Sequence, residues 1–132
     1  MQNHKSPSNK LIIRGKVLRG SGDGTKLGFP TLNVELTSEL EIEFGVYAAR
    51  VYIKNDLYEG VLHYGPRLVF DESNPQLEVH LFQFSENVYG ENVVVEILDF
   101  IRPTKNFDSL EPLIEQMSKD CEDAQKILDE DF

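Results

Sequence analysis

The 132-residue chain, 40% hydrophobic and 27% charged, has the size and composition of one globular domain with its own core. A net charge of −10 argues against a sequence-independent grip on nucleic acid, which needs Lys and Arg set against phosphates. One cysteine, Cys121, leaves no intrachain disulfide and no cysteine metal cluster, and no apolar run approaches the roughly 18 residues of a membrane span. The opening MQNHKSPSNK lacks the apolar stretch of a signal peptide, so the reading is cytoplasmic.

Residues 1–9 read as a disordered lead-in to a single domain over 10–132, with the strands in 10–102 and a helix over about 108–130. LIIRGKVLR, 11–19, predicts a first strand, with Gly15 marking a bulge or a close approach. A glycine-rich loop follows, and TLNVEL, 31–36, reads as a second short strand. GVYAARVYI, 45–53, is a third strand, and YEGVLHYG, 58–65, returns as its hairpin partner across Lys54-Asn55-Asp56. LEVHLFQF, 77–84, and VVVEILDFI, 93–101, are the fifth and sixth, with Gly90 as the positive-φ residue between them. Arg102-Pro103 ends the sixth.

The period then changes. Leu110, Leu113, Ile114, Met117, Cys121, Ala124, Ile127 and Leu128 fall at helical spacing and predict one apolar stripe packed on the sheet. Asp108 or Ser109 caps that helix and Pro112 lies in its first turn. Six closely spaced strands followed by one helix, without βαβ alternation, predict an all-β antiparallel barrel with a C-terminal helix.

The window from Gly15 to Asn33 holds five of the nine glycines, then Lys26, Pro30, Thr31 and Asn33. Such an order suits a backbone cradle for phosphate with a cation beside it; the plain alternative is a connection between strands. It leads from strand to strand, and Lys26 precedes Leu27, so it is not a Walker loop. Thr31 and Asn33 are two apart on a strand and share a face. Their hydroxyl and amide oxygens suit Mg²⁺, or else satisfy loop backbone. Glu78 shares a strand face with His80, Phe82 and Phe84, which makes it a candidate general base; the alternative is a surface glutamate paired with His80. Phe107 can stack on a planar ligand or staple the helix start.

Three blocks taken together resemble the riboflavin kinase family, over about residues 11–128. GKVLRGSGDGTKLGFPTLN is similar to its G-x-V-x-x-G loop and G-[FI]-P-T-A-N. LEVHLFQF with VYGE is similar to its E-x-H strand and Y-G-E turn. IRPTKNFDSLEPLI is similar to its L-R-P-x-x-x-F-x-S-L-x-x-L-I. The resemblance implies a six-stranded Greek-key barrel that uses ATP and Mg²⁺ to phosphorylate the 5′-hydroxyl of riboflavin, giving FMN and ADP. It implies Glu78 as base and Thr31 and Asn33 on both nucleotide and metal. Gly20, Lys26, Leu81, Gln83 and Tyr89 would contact nucleotide, and Arg102, Lys105 and Phe107 the flavin. The resemblance extends to the riboflavin kinase module of bacterial bifunctional FAD synthetases. With no adenylyltransferase motif in these residues, the expectation is a monomer that makes FMN and not FAD, with riboflavin and ATP as partners and neither nucleic acid nor membrane. The chain departs from the family at Asp23, at Leu32 (Ala in the family) and at HYGPRLVF, 63–70, where the family reads NIG-x-[RN]-P-T-F. A non-catalytic flavin- or nucleotide-binding module on the same barrel is the alternative.

Overall fold

The computed structural model describes residues 10–18, 28–66 and 75–131. Six strands are present: β1 (Leu11–Leu18), β2 (Leu32–Val34), β3 (Gly45–Ile53), β4 (Asp56–Gly65), β5 (Gln76–Leu81) and β6 (Asn92–Pro103), followed by the helix α1 (Leu110–Glu130). The strands pair antiparallel throughout and close in the order β1-β2-β5-β4-β3-β6 and back to β1. The expected barrel with a C-terminal helix is therefore present.

Alternation along each strand decides what fills the barrel. In β5, Leu77, Val79 and Leu81 point inward and are buried, while Gln76, Glu78 and His80 point outward. Val51, Leu62, Tyr64, Val93 and Val95 complete the interior with them. β3 is buried on both faces along most of its length because α1 crosses its outer face, where Ala48 and Leu98 meet Ala124 and Leu128.

Several boundaries differ from the sequence-based expectation, each for a local reason. β5 stops at Leu81, and Gln83 turns the chain with φ 54°. Phe84 thereby leaves the face of Glu78 and packs its ring edge on Tyr58, 4.8 Å away. β6 runs on through Pro103, so Arg102 is a strand residue instead of a stop. Gly15 keeps regular pairing with Val93 and marks a close approach, not a bulge: a Cβ there would lie 2.6 Å from the Glu35 carbonyl oxygen. Ser109 occupies the N-cap with extended backbone but makes no side-chain capping bond. The lead-in 1–9, the glycine loop through Lys26 and most of the 66–75 connection lie outside the described residues.

Two ion-pair clasps hold α1 to the barrel. Near its middle, Arg102 donates to both carboxylate oxygens of Asp120, at 2.8 and 2.7 Å. At its C-terminus, Arg50 (2% exposed) reaches Asp131 at 2.7 Å and the Leu128 carbonyl at 3.3 Å. The last turn of α1 has no basic residue of its own, so Arg50 supplies the cation that the negative end of the helix dipole favours. Lys10 joins the same cluster at 3.0 Å from Asp131.

Candidate active site

The chemistry-bearing side chains collect on the outer face of the barrel, under the first half of α1. One register row explains how. Asn33 of β2 faces Glu78 of β5, Glu78 faces His63 of β4, His63 faces Val46 of β3, and Val46 faces Arg102 of β6. Five strands thus bring residues up to 69 positions apart in sequence into one line. Two register shifts between β3 and β6 are needed to complete it. Ala49 pairs with Ile97; continued regularly from there, Arg102 would fall opposite residue 44, beyond the start of β3. Extra residues in β6 re-aim it into the row, a common use of bulges beside functional sites.

A cleft of about 850 Å³ opens over this row. Its floor is Val46, Val61, His63, Glu78 and His80. One wall is Leu113, Met117, Asp120 and Cys121 of α1; the other is the 104–107 segment with Lys105 and Phe107. Phe29 and Thr31 border it on the side of β2. The size and mostly apolar lining with a few convergent polar groups suit a planar organic ligand. A second, smaller cleft of about 300 Å³ lies on the far side of the Asn33–Glu78 pair, lined by Leu18, Asn33, Glu35, Pro75 and Gln76. Asn33 therefore belongs to one cleft and its register partner Glu78 to the other.

The polar geometry at this junction is specific. The Thr31 hydroxyl donates to Glu78 Oε2 at 3.5 Å. His80 Nδ1 lies 2.8 Å from the Pro30 carbonyl, and since a carbonyl only accepts, Nδ1 carries the proton. That bond ties the Phe29-Pro30-Thr31 segment to β5, with the Phe29 ring edge-on to His80 at 5.4 Å. Asn33 Oδ1 is buried without a hydrogen-bond partner among the described residues. A buried amide oxygen left without a donor is costly unless something else fills its lone pairs. Among the described residues no three His, Cys, Asp or Glu gather into a metal cluster.

Charge is tuned on the helix side. The bidentate Arg102–Asp120 pair is joined by Gln116, whose amide donates to Asp120 Oδ1 at 2.9 Å. The third guanidinium nitrogen of Arg102 donates to the Pro103 carbonyl, so the edge of the fork facing Asp120 is what positions α1. Burial pushes the Cys121 thiol up to about 11, with Asp120 adding to the effect, so it lines the cleft as a thiol and not a thiolate. Burial, and then the Arg102 charge, lowers the pKa of His63 against an opposing push from Asp120. Lys105 lies over the Phe107 ring, 5.5 Å from its centroid.

The predicted site residues divide accordingly. Thr31, Asn33 and Glu78 come together at the junction, and Arg102, Lys105 and Phe107 border the large cleft. Leu81 points into the barrel core, and neither it nor Gln83 nor Tyr89 lines either cleft. Gly20 and Lys26 lie outside the described residues. His63 and Asp120 were missed. Alternation in YEGVLHYG sets His63 opposite Leu62 and Tyr64, which already hints at an outward polar group. Asp120 interrupts the apolar stripe of α1, and a carboxylate on a buried helix face needs a cationic partner.

A model of the riboflavin kinase family (flavokinase) matches residues 8–128. Human riboflavin kinase is 37% identical over 125 residues, covering 89% of this chain and 81% of that protein. A bifunctional riboflavin kinase/FMN adenylyltransferase of Haemophilus influenzae is 40% identical over 114 residues, covering 86% of this chain and 37% of that protein. The crystal structure of riboflavin kinase from Trypanosoma brucei shares the fold with a TM-score of 0.69 at 21% identity, over 98% of this chain and 84% of that one. The chain spans 18% of the length of a trifunctional relative of Mycoplasmoides gallisepticum and 37% of the bifunctional Haemophilus influenzae protein.

Proposed function

The chain belongs to the riboflavin kinase family, and from that premise we propose that it transfers the γ-phosphoryl group of ATP to the 5′-hydroxyl of riboflavin, giving FMN and ADP. The observation that carries this reading is the Asn33–Glu78 pair, two register partners that line different clefts. A two-substrate phosphoryl transfer needs one point where donor and acceptor sites meet. The large cleft suits the flavin, with Phe107, Leu113 and Met117 against the ring system. The small cleft is lined by Leu18, which immediately precedes the glycine-rich stretch in sequence, and suits the nucleotide.

Phosphoryl transfer asks little covalent chemistry of the protein; positioning and charge stabilisation dominate. Glu78 is the general base: it lies in the large cleft beside the junction and takes the proton from the attacking 5′-hydroxyl. Thr31 holds one carboxylate oxygen of Glu78 in place through its hydroxyl. The unpartnered Asn33 Oδ1 and the Thr31 hydroxyl are hard oxygens, which fits Mg²⁺ bound through few protein ligands, with nucleotide phosphates and water completing its shell. When bound, Mg²⁺ would offset the charge on the phosphate oxygens. Gly20 and Lys26 are proposed as phosphate contacts, and Lys105 and Phe107 as flavin contacts. Arg102, engaged with Asp120, supports the flavin site by fixing α1.

The acidic balance favours small-molecule substrates over nucleic acid. Among the described residues no helix is long and apolar enough to cross a membrane. The single cysteine supports a cytoplasmic enzyme, which we take to act as a monomer. The test is direct. Protein, riboflavin, ATP and Mg²⁺ should yield FMN by chromatography, and Glu78→Gln should lower kcat by roughly 10²- to 10⁴-fold while flavin still binds. Flavin binding without FMN formation by the unmodified protein would leave only the binding-module reading.

A further inference from the structure

Two histidines face the large cleft, and they differ in what occupies them. His80 is engaged at Nδ1 by the Pro30 carbonyl. His63, its neighbour on the adjoining strand, lines the same cleft with no hydrogen bond on its ring nitrogens among the described residues. Its place in the row is the second fact. It sits one strand beyond Glu78, on the side away from Asn33 and towards Val46 and Arg102. One strand spacing is about 4.8 Å, the reach of roughly three to four bonds of an extended carbon chain. An acceptor whose terminal hydroxyl lies at Glu78 and whose ring system lies under α1 must pass its polyol chain over His63.

The charged pair beside that path is largely engaged with itself, and Thr104, Lys105 and Asn106 line the cleft from the segment after β6 and not from the register row. The Arg102 guanidinium is held by Asp120 and the Pro103 carbonyl, and Asp120 is held by Arg102 and Gln116. Val46 and Val61 flank His63 on the floor and offer nothing to a hydroxyl. We propose that His63 is the specificity residue for the acceptor chain, its imidazole hydrogen-bonding the interior hydroxyls of the ribityl group while Glu78 engages the terminal one. A neutral imidazole carries one donor and one acceptor, which matches a chain of hydroxyls that each donate and accept. Burial and the nearby Arg102 favour that neutral form. The inference rests on the riboflavin kinase reading and adds to it a reason for selecting a polyol over a plain alkyl alcohol.

The experiment compares two acceptors, riboflavin and the flavin analogue bearing a 5-hydroxypentyl chain, which keeps the terminal hydroxyl and lacks the interior ones. Steady-state kinetics are measured for the unmodified protein, His63→Leu and His63→Asn, with thermal unfolding as a check on folding. The unmodified protein should favour riboflavin by roughly tenfold or more in kcat/KM. His63→Leu should lose that preference, chiefly through a higher KM for riboflavin, with the analogue little affected. His63→Asn, an amide that also donates and accepts, should restore most of it and keeps the test valid should the leucine variant fold poorly. Equal losses on both acceptors, or full discrimination in His63→Leu, would overturn the role of His63 and leave the kinase reading standing. Turnover of neither acceptor by the unmodified protein would overturn the kinase reading itself, and this proposal with it.

Discussion

The two halves of α1 present the same kind of apolar stripe to different surroundings. In the second half, Ala124 and Leu128 are fully buried against Ala48 and Leu98, with Ile127 packed beside them. In the first half, Leu113 and Met117 face the large cleft, as does Cys121 just past the midpoint, while Leu110 and Ile114 remain 60% and 36% exposed. Each half has its own clasp, Arg50–Asp131 at the C-terminus and Arg102–Asp120 in the middle. One end of the helix is thus part of the core, and the other borders the large cleft. Apolar periodicity reports that a face is covered, and here protein covers half of it and a cleft lies under the rest.

That contrast can be broken at either end. The largest effect is expected at Arg50, whose removal leaves Glu59, Glu96 and Asp131 without their shared cation in a buried setting. Arg50→Met should cost about 3 to 5 kcal/mol, read as a lower urea midpoint. Leu128→Ala should cost about 2 to 4 kcal/mol in the same assay through lost burial and the cavity left behind.

Acid offers a smaller test of the same end. The hydrogen bond from Arg50, with help from Lys10, holds the Asp131 carboxyl at about 2, against 3.8 unperturbed. A depressed folded pKa contributes stability in full above about pH 4, and that stability is lost as pH falls through about 2. The loss should be roughly 1 to 2 kcal/mol, followed by chemical denaturation at stepped pH, and Arg50→Met should remove the larger part of this component and leave the share due to Lys10. At the other end, Met117→Ala should change stability by only about 1 kcal/mol or less, because one side of its side chain faces the cleft. Its signature should instead be a several-fold rise in the KM for riboflavin, with kcat little changed. A large stability loss at Met117 with unaltered KM would mean that both halves of α1 serve the core alike.

The glycine loop, the E-x-H strand and the RPTKNF segment were each readable locally, because turn glycines, strand alternation and a change to helical period leave marks in consecutive residues. Those marks sufficed for six strands and one helix and for Thr31, Asn33, Glu78 and Phe107 as candidates, whereas Lys105 entered only through the family resemblance. Strand ends were less legible: β5 stops where Gln83 takes a left-handed turn, and β6 continues through Arg102 because Gly45 leaves room for its carbonyl to approach. Leu81 shows the same limit from another side, since its strand parity turns it into the barrel although two positions away Gln83 leaves the strand altogether.

By itself, then, the sequence determined the kinds of element, their order and the chemical groups on offer, since these follow from local backbone preference and from which side chains can be buried. Only the tertiary structure decided which of those groups meet. The row Asn33–Glu78–His63–Val46–Arg102 depends on five strands pairing out of chain order and on two register shifts in β6. The cleft beside it depends on two ion pairs that clamp α1 at chosen points. Register, closure and clamping are non-local: each sums many weak pairings between residues far apart in the chain, and no short window of sequence contains both partners.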